Sequence, residues 1–344
     1  MIRFLRKYTL PISMIAGVLS YFIYVSIPAL DSTHRVVADV VSVLQPALIF
    51  IMLFLAFCKV NPRELRPHRW QLKLILTQAL LFVALALPII LWPDMQGRVI
   101  IESAMVCIIC PTATAASVVT TKLHGNSSVV VSYTCIINMV AAVLIPAIVP
   151  LLHDHAPVTV YITPVQAFMA AFALIIGRVF PLLMLPLLLA FTVRYMLPRL
   201  HRWCVKISGA SFYLWALALM IALAITTKAI MHSHESALSY VGIAIVSALT
   251  CVGQFYLGRR IGTRHGEPIA GAQSLGQKNT AFAIWMAYTF MNPVTALAGG
   301  FYAVWHNIIN SYQLLKTEDN SSNQSNRSET QTSTTVRTKR KNYA

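Results

Sequence analysis

Long apolar runs alternate with short polar and basic segments along most of the chain. A membrane helix needs about 20 mainly apolar residues, and ten runs approach or exceed that length. They cover residues 1–30, 36–57, 72–92, 99–121, 125–152, 164–196, 212–231, 240–257, 271–290 and 294–314. The pattern predicts an all-α polytopic membrane protein of about ten transmembrane helices within residues 1–315.

The composition supports this interpretation and excludes two other classes of protein. Of the 344 residues, 57% are hydrophobic and 11% are charged, which is more apolar surface than a soluble domain can bury. The formal net charge of +16 would suit a nucleic-acid partner, but the basic residues stand in short runs between the apolar spans. That distribution is typical of the cytoplasmic loops of membrane proteins, so the expected partner is the lipid bilayer and not nucleic acid.

The basic loops also predict the orientation. Basic clusters precede the first span and follow the second, sixth, eighth and tenth, whereas the alternate loops hold few basic residues. Since cytoplasmic loops carry the excess of Lys and Arg, both termini are expected in the cytoplasm, and the protein in the cell (inner, cytoplasmic) membrane. Residues 316–344 are rich in Ser, Asn and Thr, which predicts a disordered cytoplasmic tail.

Polar residues interrupt two of the spans. Residues 111–117 interrupt the fourth, and residues 271–280, which include Lys278, interrupt the ninth. Five helices separate the breaks, so they occupy corresponding places in two halves of opposite orientation, a pattern typical of a midplane binding site in secondary transporters. Two ordinary kinks are the alternative. A cation at bilayer depth costs at least ~2.5–3.5 kcal/mol, which favours a functional site.

Four short motifs resemble the bile acid:sodium symporter family. They are Cys110-Pro-Thr-Ala-Thr-Ala-Ala-Ser117, His124-Gly-Asn126, Leu275-Gly-Gln-Lys-Asn279 and Val304-Trp-His-Asn307. The resemblance extends over nearly the whole membrane region. It implies two inverted five-helix repeats, whose broken fourth and ninth helices cross. It also implies a panel domain of spans 1, 2, 6 and 7, a core domain of spans 3–5 and 8–10, and a substrate crevice between them. Family members carry organic anions, such as bile acids and small carboxylates, coupled to two sodium ions.

The resemblance assigns four residues to substrate contacts and five to the ion-coupling site. The substrate residues are Thr114, Asn279, His306 and Asn307, and the ion-site residues are Gln78, Ser117, Thr134, Ser274 and Lys278. Two of the ion-site residues depart from the family pattern. Ser274 stands where the family places a glutamate shared by both sodium ions, and Lys278 stands where it places a glutamine ligand. The first break and Val130 have also lost family ligands, so sodium is expected to bind weakly or not at all.

The net charge of the site suggests what these two departures from the family pattern do. One carboxylate with two sodium ions leaves the loaded family site at about +1, and neutral Ser274 with protonated Lys278 reaches the same charge without a metal. We therefore hypothesise that the Lys278 ammonium replaces sodium, permanently or by reversible protonation. The alternative is that Lys278 reaches water and only holds the two half-helices together.

The expected function is sodium-independent secondary transport of an organic anion, bile acid-like or a small carboxylate, by alternating access, with proton coupling as one form of it. Two alternatives stay open: sodium:organic anion symport through a remnant ion site, and a non-transporting sensor or scaffold on the same fold. No enzyme activity, cofactor or metal is expected, because the spans contain no paired carboxylates or zinc-type His cluster. The sequence indicates neither the individual substrate nor an oligomeric state.

Two further charged residues fall within the spans. Arg178 is expected either to pair with an anionic substrate at the crevice or to reach the membrane interface. Glu102 lies nine residues before Pro111, roughly 13 Å along a helix, and is expected at the extracytoplasmic interface and not beside Lys278.

Overall fold

A computed structural model of the protein describes residues 2–152, 163–233 and 235–317, with side chains from residue 12 onward except that of residue 64. The predicted tail lies outside the described residues, apart from residues 316 and 317, which continue the last helix.

Helices make up nearly all of the described part of the chain, and no strand is present in that part. In chain order they are α1 (Ile2–Val25), α2 (His34–Cys58), α3 (Gln71–Leu91), α4 (Arg98–Ile109), α5 (Ala115–Lys122), α6 (Ser127–Ile148), α7 (Pro164–Met196), α8 (Pro198–Ile207), α9 (Ser211–Met231), α10 (Ala237–Thr263), α11 (Pro268–Gly276), α12 (Thr280–Phe290) and α13 (residues 296–317). Six helical segments of this part are long and apolar enough to cross a membrane. The coarse prediction of an all-helical membrane protein is therefore confirmed.

α3 has one buried face and one exposed face. Leu74, Gln78 and Phe82 recur every four residues, share one face of the helix and are buried. On the opposite side Leu80 and Leu91 are 66% and 63% exposed. Exposed leucines in rows are unfavourable in water, so this side of α3 suits contact with lipid.

The helices pack in two sets. α1 packs on α9, and α2 packs on α7 and on α9. In the other set α4 contacts α3 and α10, α10 lies along α11, and α6 contacts α5 and α11. The two sets touch where α6 meets α7 and where α12 meets α2 and α9.

The closest helix pair, α10 and α11, is joined through glycines. A Cβ atom added to Gly258 would lie 2.3 Å from the carbonyl oxygen of Gly271, and one added to Gly271 would lie 2.3 Å from that of Gly258. Small residues let helix backbones approach closely, which is how membrane helices associate without a hydrophobic driving force. This contact fixes α11, and with it the second break, against α10.

Contacts between loops group the basic segments at one end of the molecule. Lys73 Nζ lies 3.3 Å from His265 Nε2, which joins the start of α3 to the α10–α11 loop. Arg194, at the end of α7, donates a 2.7 Å hydrogen bond to the carbonyl of Val60 after α2. At the other end, Arg98 donates to the carbonyl of Leu152, which joins the α3–α4 and α6–α7 connections.

Glu102 forms an ion pair near the start of α4, and its expected position at the extracytoplasmic interface stays a prediction. It is fully buried in α4, and its Oε1 accepts a 2.7 Å hydrogen bond from Nε of Arg98, one turn earlier. A neighbouring cation lets a carboxylate be buried, because an unpaired one would be far too costly. The sequence interpretation considered only its distance from Pro111 and overlooked this i,i+4 pair.

Candidate functional site

The two helix breaks lie beside each other. Residues 110–114 separate α4 from α5, and residues 277–279 separate α11 from α12. The backbone N–H of Ala113 donates to the carbonyl of Gln277, and that of Asn279 donates to the carbonyl of Pro111, both at 2.9 Å. The unwound segments thus form a short antiparallel bridge and satisfy each other's backbone groups, as irregular backbone must where water is absent.

Both breaks are shorter than the polar stretches suggested. Residues 271–276 are helical, and Ser117 lies inside α5. A proline lies at the first break and a glycine at the second. Pro111 has no backbone N–H and disfavours helical backbone in the residue before it. At Gly276 a Cβ atom would lie 2.4 Å from the ring of Phe255, so only glycine fits the end of α11.

Lys278 lies at the centre of this arrangement. Its side chain is 1% exposed, and Nζ donates a 3.0 Å hydrogen bond to the carbonyl of Ile108 in the last turn of α4. The C-terminal end of a helix carries a partial negative charge, and cations are stabilised there. Among the described residues, no carboxylate forms an ion pair with Nζ. The ammonium is therefore bound by a helix carbonyl and not by an acidic side chain.

The neighbouring carbonyls of α4 and of the first break also accept hydrogen bonds from side chains. Gln254 Nε2 donates to the carbonyl of Cys107 at 3.1 Å. Gln78 Nε2 donates to the two carbonyls of residues 109 and 110, at 3.1 and 3.2 Å. Four consecutive carbonyls that a helix end would leave open are thus all bound by side chains from α3, α10 and the second break.

Side chains also donate hydrogen bonds to the backbone carbonyls at the second break. Thr112 donates its hydroxyl to the carbonyl of Ser274. The hydroxyl of Tyr302, on α13, donates to the carbonyl of Gly276 at 2.7 Å and accepts from Gln254 Nε2 at 3.1 Å. Ser274 itself is fully buried, and its hydroxyl has no hydrogen-bond partner among the described residues. At this position the chain contributes no charge.

The predicted ion-site residues separate into two groups. Gln78, Ser274 and Lys278 meet at the breaks. Ser117 Oγ donates to the carbonyl of Thr114 at 3.0 Å, within its own turn, and Thr134 Oγ1 donates to the carbonyl of Val130 at 2.8 Å, within α6. Ser117 thus bonds only to the last residue of the first break, and Thr134 makes no hydrogen bond to either break among the described residues.

The predicted substrate residues are also divided. Thr114 and Asn279 are half-buried at the two breaks, where Asn279 Oδ1 accepts from the N–H of Phe282 and caps α12. His306 is 5% exposed on α13, and its Nδ1 has no hydrogen-bond partner among the described residues. Its ring meets that of Tyr302 edge-on, with 5.8 Å between centroids. Asn307 Nδ2 donates to a carbonyl one turn earlier in α13, at 2.6 Å.

Sequence reasoning missed three polar side chains that support the breaks: Gln254, Tyr302 and Tyr133. Tyr133 is fully buried and donates its hydroxyl to Gln78 Oε1 at 3.1 Å, which orients the amide. The role of Gln254 could have been predicted from the sequence, since a polar residue inside an apolar span requires a partner. The roles of the two tyrosines could not, because the sequence alone does not show where a hydroxyl points.

A separate cavity of about 1600 Å³ lies between α1, α2, α7, α9 and α12. None of the nine predicted site residues lines it. Arg178 does, together with three other basic side chains, Lys228, His34 and His232. Arg178 lies in this cavity between helices, and both expectations for it, pairing with an anionic substrate or reaching the membrane interface, stay predictions.

The model of the SBF-like CPA transporter family (DUF4137) matches residues 14–313, which is most of the chain. No curated protein matches the chain as a relative.

Proposed function

The chain belongs to the SBF-like CPA transporter family, and we propose that it carries an organic anion across the membrane by alternating access, with the Lys278 ammonium in place of a sodium ion. The observation that carries the proposal is the position of Nζ, buried at the C-terminal carbonyls of α4 between the two breaks. Broken helices with free half-helix ends bind substrates and coupling ions in secondary transporters.

The packing of the helices supports a division into two moving parts. If α4 with α5, and α11 with α12, each count as one crossing and the short α8 as none, the described helices give ten crossings. α1, α2, α7 and α9 then form the panel and the remaining crossings form the core. Alternating access would be a movement of one part against the other around the bound anion.

The charge at the breaks supports an anionic cargo. Ser274 is neutral and Lys278 has no acidic partner among the described residues, so the protonated site has an excess positive charge. A carried anion would compensate that charge. Exchange of a proton at Nζ would do the same and would make the carrier proton-coupled.

Transport in reconstituted vesicles tests the proposal. Uptake of labelled cholate, pantoate and pyruvate is measured with an inward sodium gradient, with potassium replacing sodium on both sides, and with a pH gradient. We expect uptake of at least one anion at the same rate with and without sodium. Lys278→Gln should lower that uptake at least about tenfold, since a charge-assisted hydrogen bond is lost. Lys122→Gln, an exposed lysine at the end of α5, is the matched control and should transport normally.

Two results would count against the proposal. Uptake by the unmutated protein that requires the sodium gradient would assign symport through a remnant ion site. Thermal stabilisation by one of these anions, without flux under any gradient, would assign a non-transporting sensor.

A further inference from the structure

α8 is a short helix between two long apolar helices, α7 and α9. Its ten residues extend about 15 Å along the helix axis, half of what a membrane crossing requires. Four of the ten are Arg, Lys or His. α8 begins two residues after the end of α7, where Arg194 donates to the carbonyl of Val60 at the basic end of the molecule. This helix therefore lies at a membrane surface and not across the bilayer.

One face of α8 packs on the rest of the protein. His201 Nε2 lies 2.8 Å from the carbonyl oxygen of Cys58, the last residue of α2, and Cys204, one turn later, is 3% exposed. α8 also contacts α7. These contacts hold it against the set of helices that contains α1, α2, α7 and α9.

The opposite face of α8 is basic. Arg199, Arg202 and Lys206 recur at intervals of three and four residues, which places them on one side of the helix, and all three are exposed. None of their side chains has a hydrogen bond or ion pair among the described residues, and residues 194–207 include no Asp or Glu. Arg199 stands in the first turn, where the helix dipole disfavours a cation, so the stability of the helix does not explain this basic face.

Two apolar side chains flank the basic face on one side. Trp203 and Leu200 are 57% and 41% exposed, and around the helix they lie between the packed face and the basic face. Tryptophan is enriched where a membrane meets water, and helices with an apolar and a basic side lie in the plane of that interface. α8 therefore suits contact with acyl chains on one side and with headgroups on the other.

We propose that the basic face of α8 binds anionic phospholipids through their phosphate groups, while Leu200 and Trp203 contact the acyl chains. The lipids belong to the leaflet at the basic end of the molecule. Charge complementarity selects them, because clusters of Lys and Arg beside a membrane helix attract anionic headgroups, and guanidinium groups bind phosphate through paired hydrogen bonds. Since α8 is packed on α2 and α7, bound lipid would hold this set of helices at one depth in the bilayer. The site is independent of the cargo and of the coupling ion.

Lipid titration of the full-length protein in maltoside detergent tests this site. Dioctanoylphosphatidylglycerol, dioctanoylphosphatidylcholine and inorganic phosphate are added separately, and the midpoint of thermal stabilisation gives the apparent affinity for each. The test variant is R199Q/R202Q/K206Q. The matched control is R259Q/R260Q/R264Q, which removes the same number of exposed charges from the last part of α10 and the loop after it, at the same end of the molecule.

The expected result is a preference for phosphatidylglycerol that depends on α8. The test variant should bind this lipid about tenfold to a hundredfold more weakly, since each Lys or Arg near an anionic surface contributes roughly fivefold in affinity, and its affinity for phosphatidylcholine should not change. R199K/R202K should retain most of the affinity, because it keeps the charge and loses only the guanidinium geometry. The control variant should bind both lipids as the unmutated protein does. Inorganic phosphate should give much less stabilisation, because it has no acyl chains to contact Trp203.

Three results would overturn the proposal. The first is an unchanged ratio of the two lipid affinities in the test variant, a ratio that does not depend on the stability of the variant without lipid. The second is an equal loss of affinity in the control variant, which would indicate attraction to the general charge of this end. The third is stabilisation by inorganic phosphate as strong as that by phosphatidylglycerol, which would assign the basic face to a free phosphate. None of these results bears on transport, which vesicle uptake measures separately.

Discussion

At the scale of single residues, Lys278 determines the charge of the site at the two breaks. Its ammonium is buried with one hydrogen bond among the described residues, to a helix carbonyl. A desolvated cation costs several kcal/mol unless it is well paired, and one carbonyl does not offset that cost. A residue that lowers stability at such a position is typical of a functional site, whereas a tether between half-helices would raise it.

Lys278→Met separates these roles, because it keeps the length of the side chain and removes the charge. We expect transport to be lost. The melting temperature should stay unchanged or rise, and the unfolding free energy should rise by about 1–4 kcal/mol at most. Thermal unfolding in detergent and vesicle uptake are the measurements. A lower melting temperature with transport retained would instead indicate that Lys278 only holds α4 and α12 together.

At the scale of helices, the α10–α11 contact positions the second break. The backbones touch at Gly258 and Gly271, and the polar groups at the start of α12 follow directly from where α11 ends. Pro111 interrupts α4 for a local reason, whereas Gly276 is required by the ring of Phe255 on α10, and the distance between the two breaks depends on the glycine contact. A shift of α11 against α10 would displace Lys278 from the carbonyl of Ile108.

Gly258→Ala should destabilise the protein by about 1–3 kcal/mol, the usual cost of overpacking, because the added methyl would meet backbone atoms of α11. Gly253→Ala on the same helix is the control. Nothing lies within 4 Å of its added methyl, and alanine favours helix over glycine by about 0.5–1 kcal/mol, so this variant should be at least as stable as the original. Equal melting temperatures for the two variants would mean that α10 and α11 are not in close contact.

At the scale of the whole molecule, the contacts between loops agree with the distribution of basic residues. The α2–α3 and α10–α11 loops meet through Lys73 and His265, and the α5–α6 loop meets the α10–α11 loop through Asn126 and Glu267 at 3.1 Å. These are loops that the positive-inside rule assigns to the cytoplasm. The end marked by Arg98 and Leu152 lies among the loops assigned to the opposite side.

Labelling of single introduced cysteines with a membrane-impermeant maleimide tests this sidedness. The variants are Ser32→Cys, Asp94→Cys, Arg66→Cys and Arg264→Cys, all at exposed positions. In intact cells we expect reaction at positions 32 and 94, and at positions 66 and 264 only after permeabilisation. The native cysteines give low background, since five are buried and Cys135 is half-buried. Reaction of positions 32 and 66 from the same side would contradict an odd number of crossings between them.

The breaks and most helix ends could be read from the sequence, because their causes are local. Proline and glycine act within one turn, and a membrane span requires an apolar run of fixed length. Lys278 stood out for the same reason, as a charge within such a run. Thr134 and Ser117 also match ion-site positions in sequence, yet each hydroxyl donates to a backbone carbonyl one turn earlier, and the motifs alone did not show that.

By itself the sequence determined that the chain is a helical membrane protein, where two of its helices are interrupted, and that one of the interruptions holds a lysine. Tertiary structure alone decided that Nζ of Lys278 meets the carbonyl of Ile108, that Tyr302 and Gln254 support the second break, and that Arg178 and Gln45 line one cavity. The physical reason is distance along the chain. Chain geometry and solvation fix local features, whereas contacts between residues on different helices depend on how the helices pack.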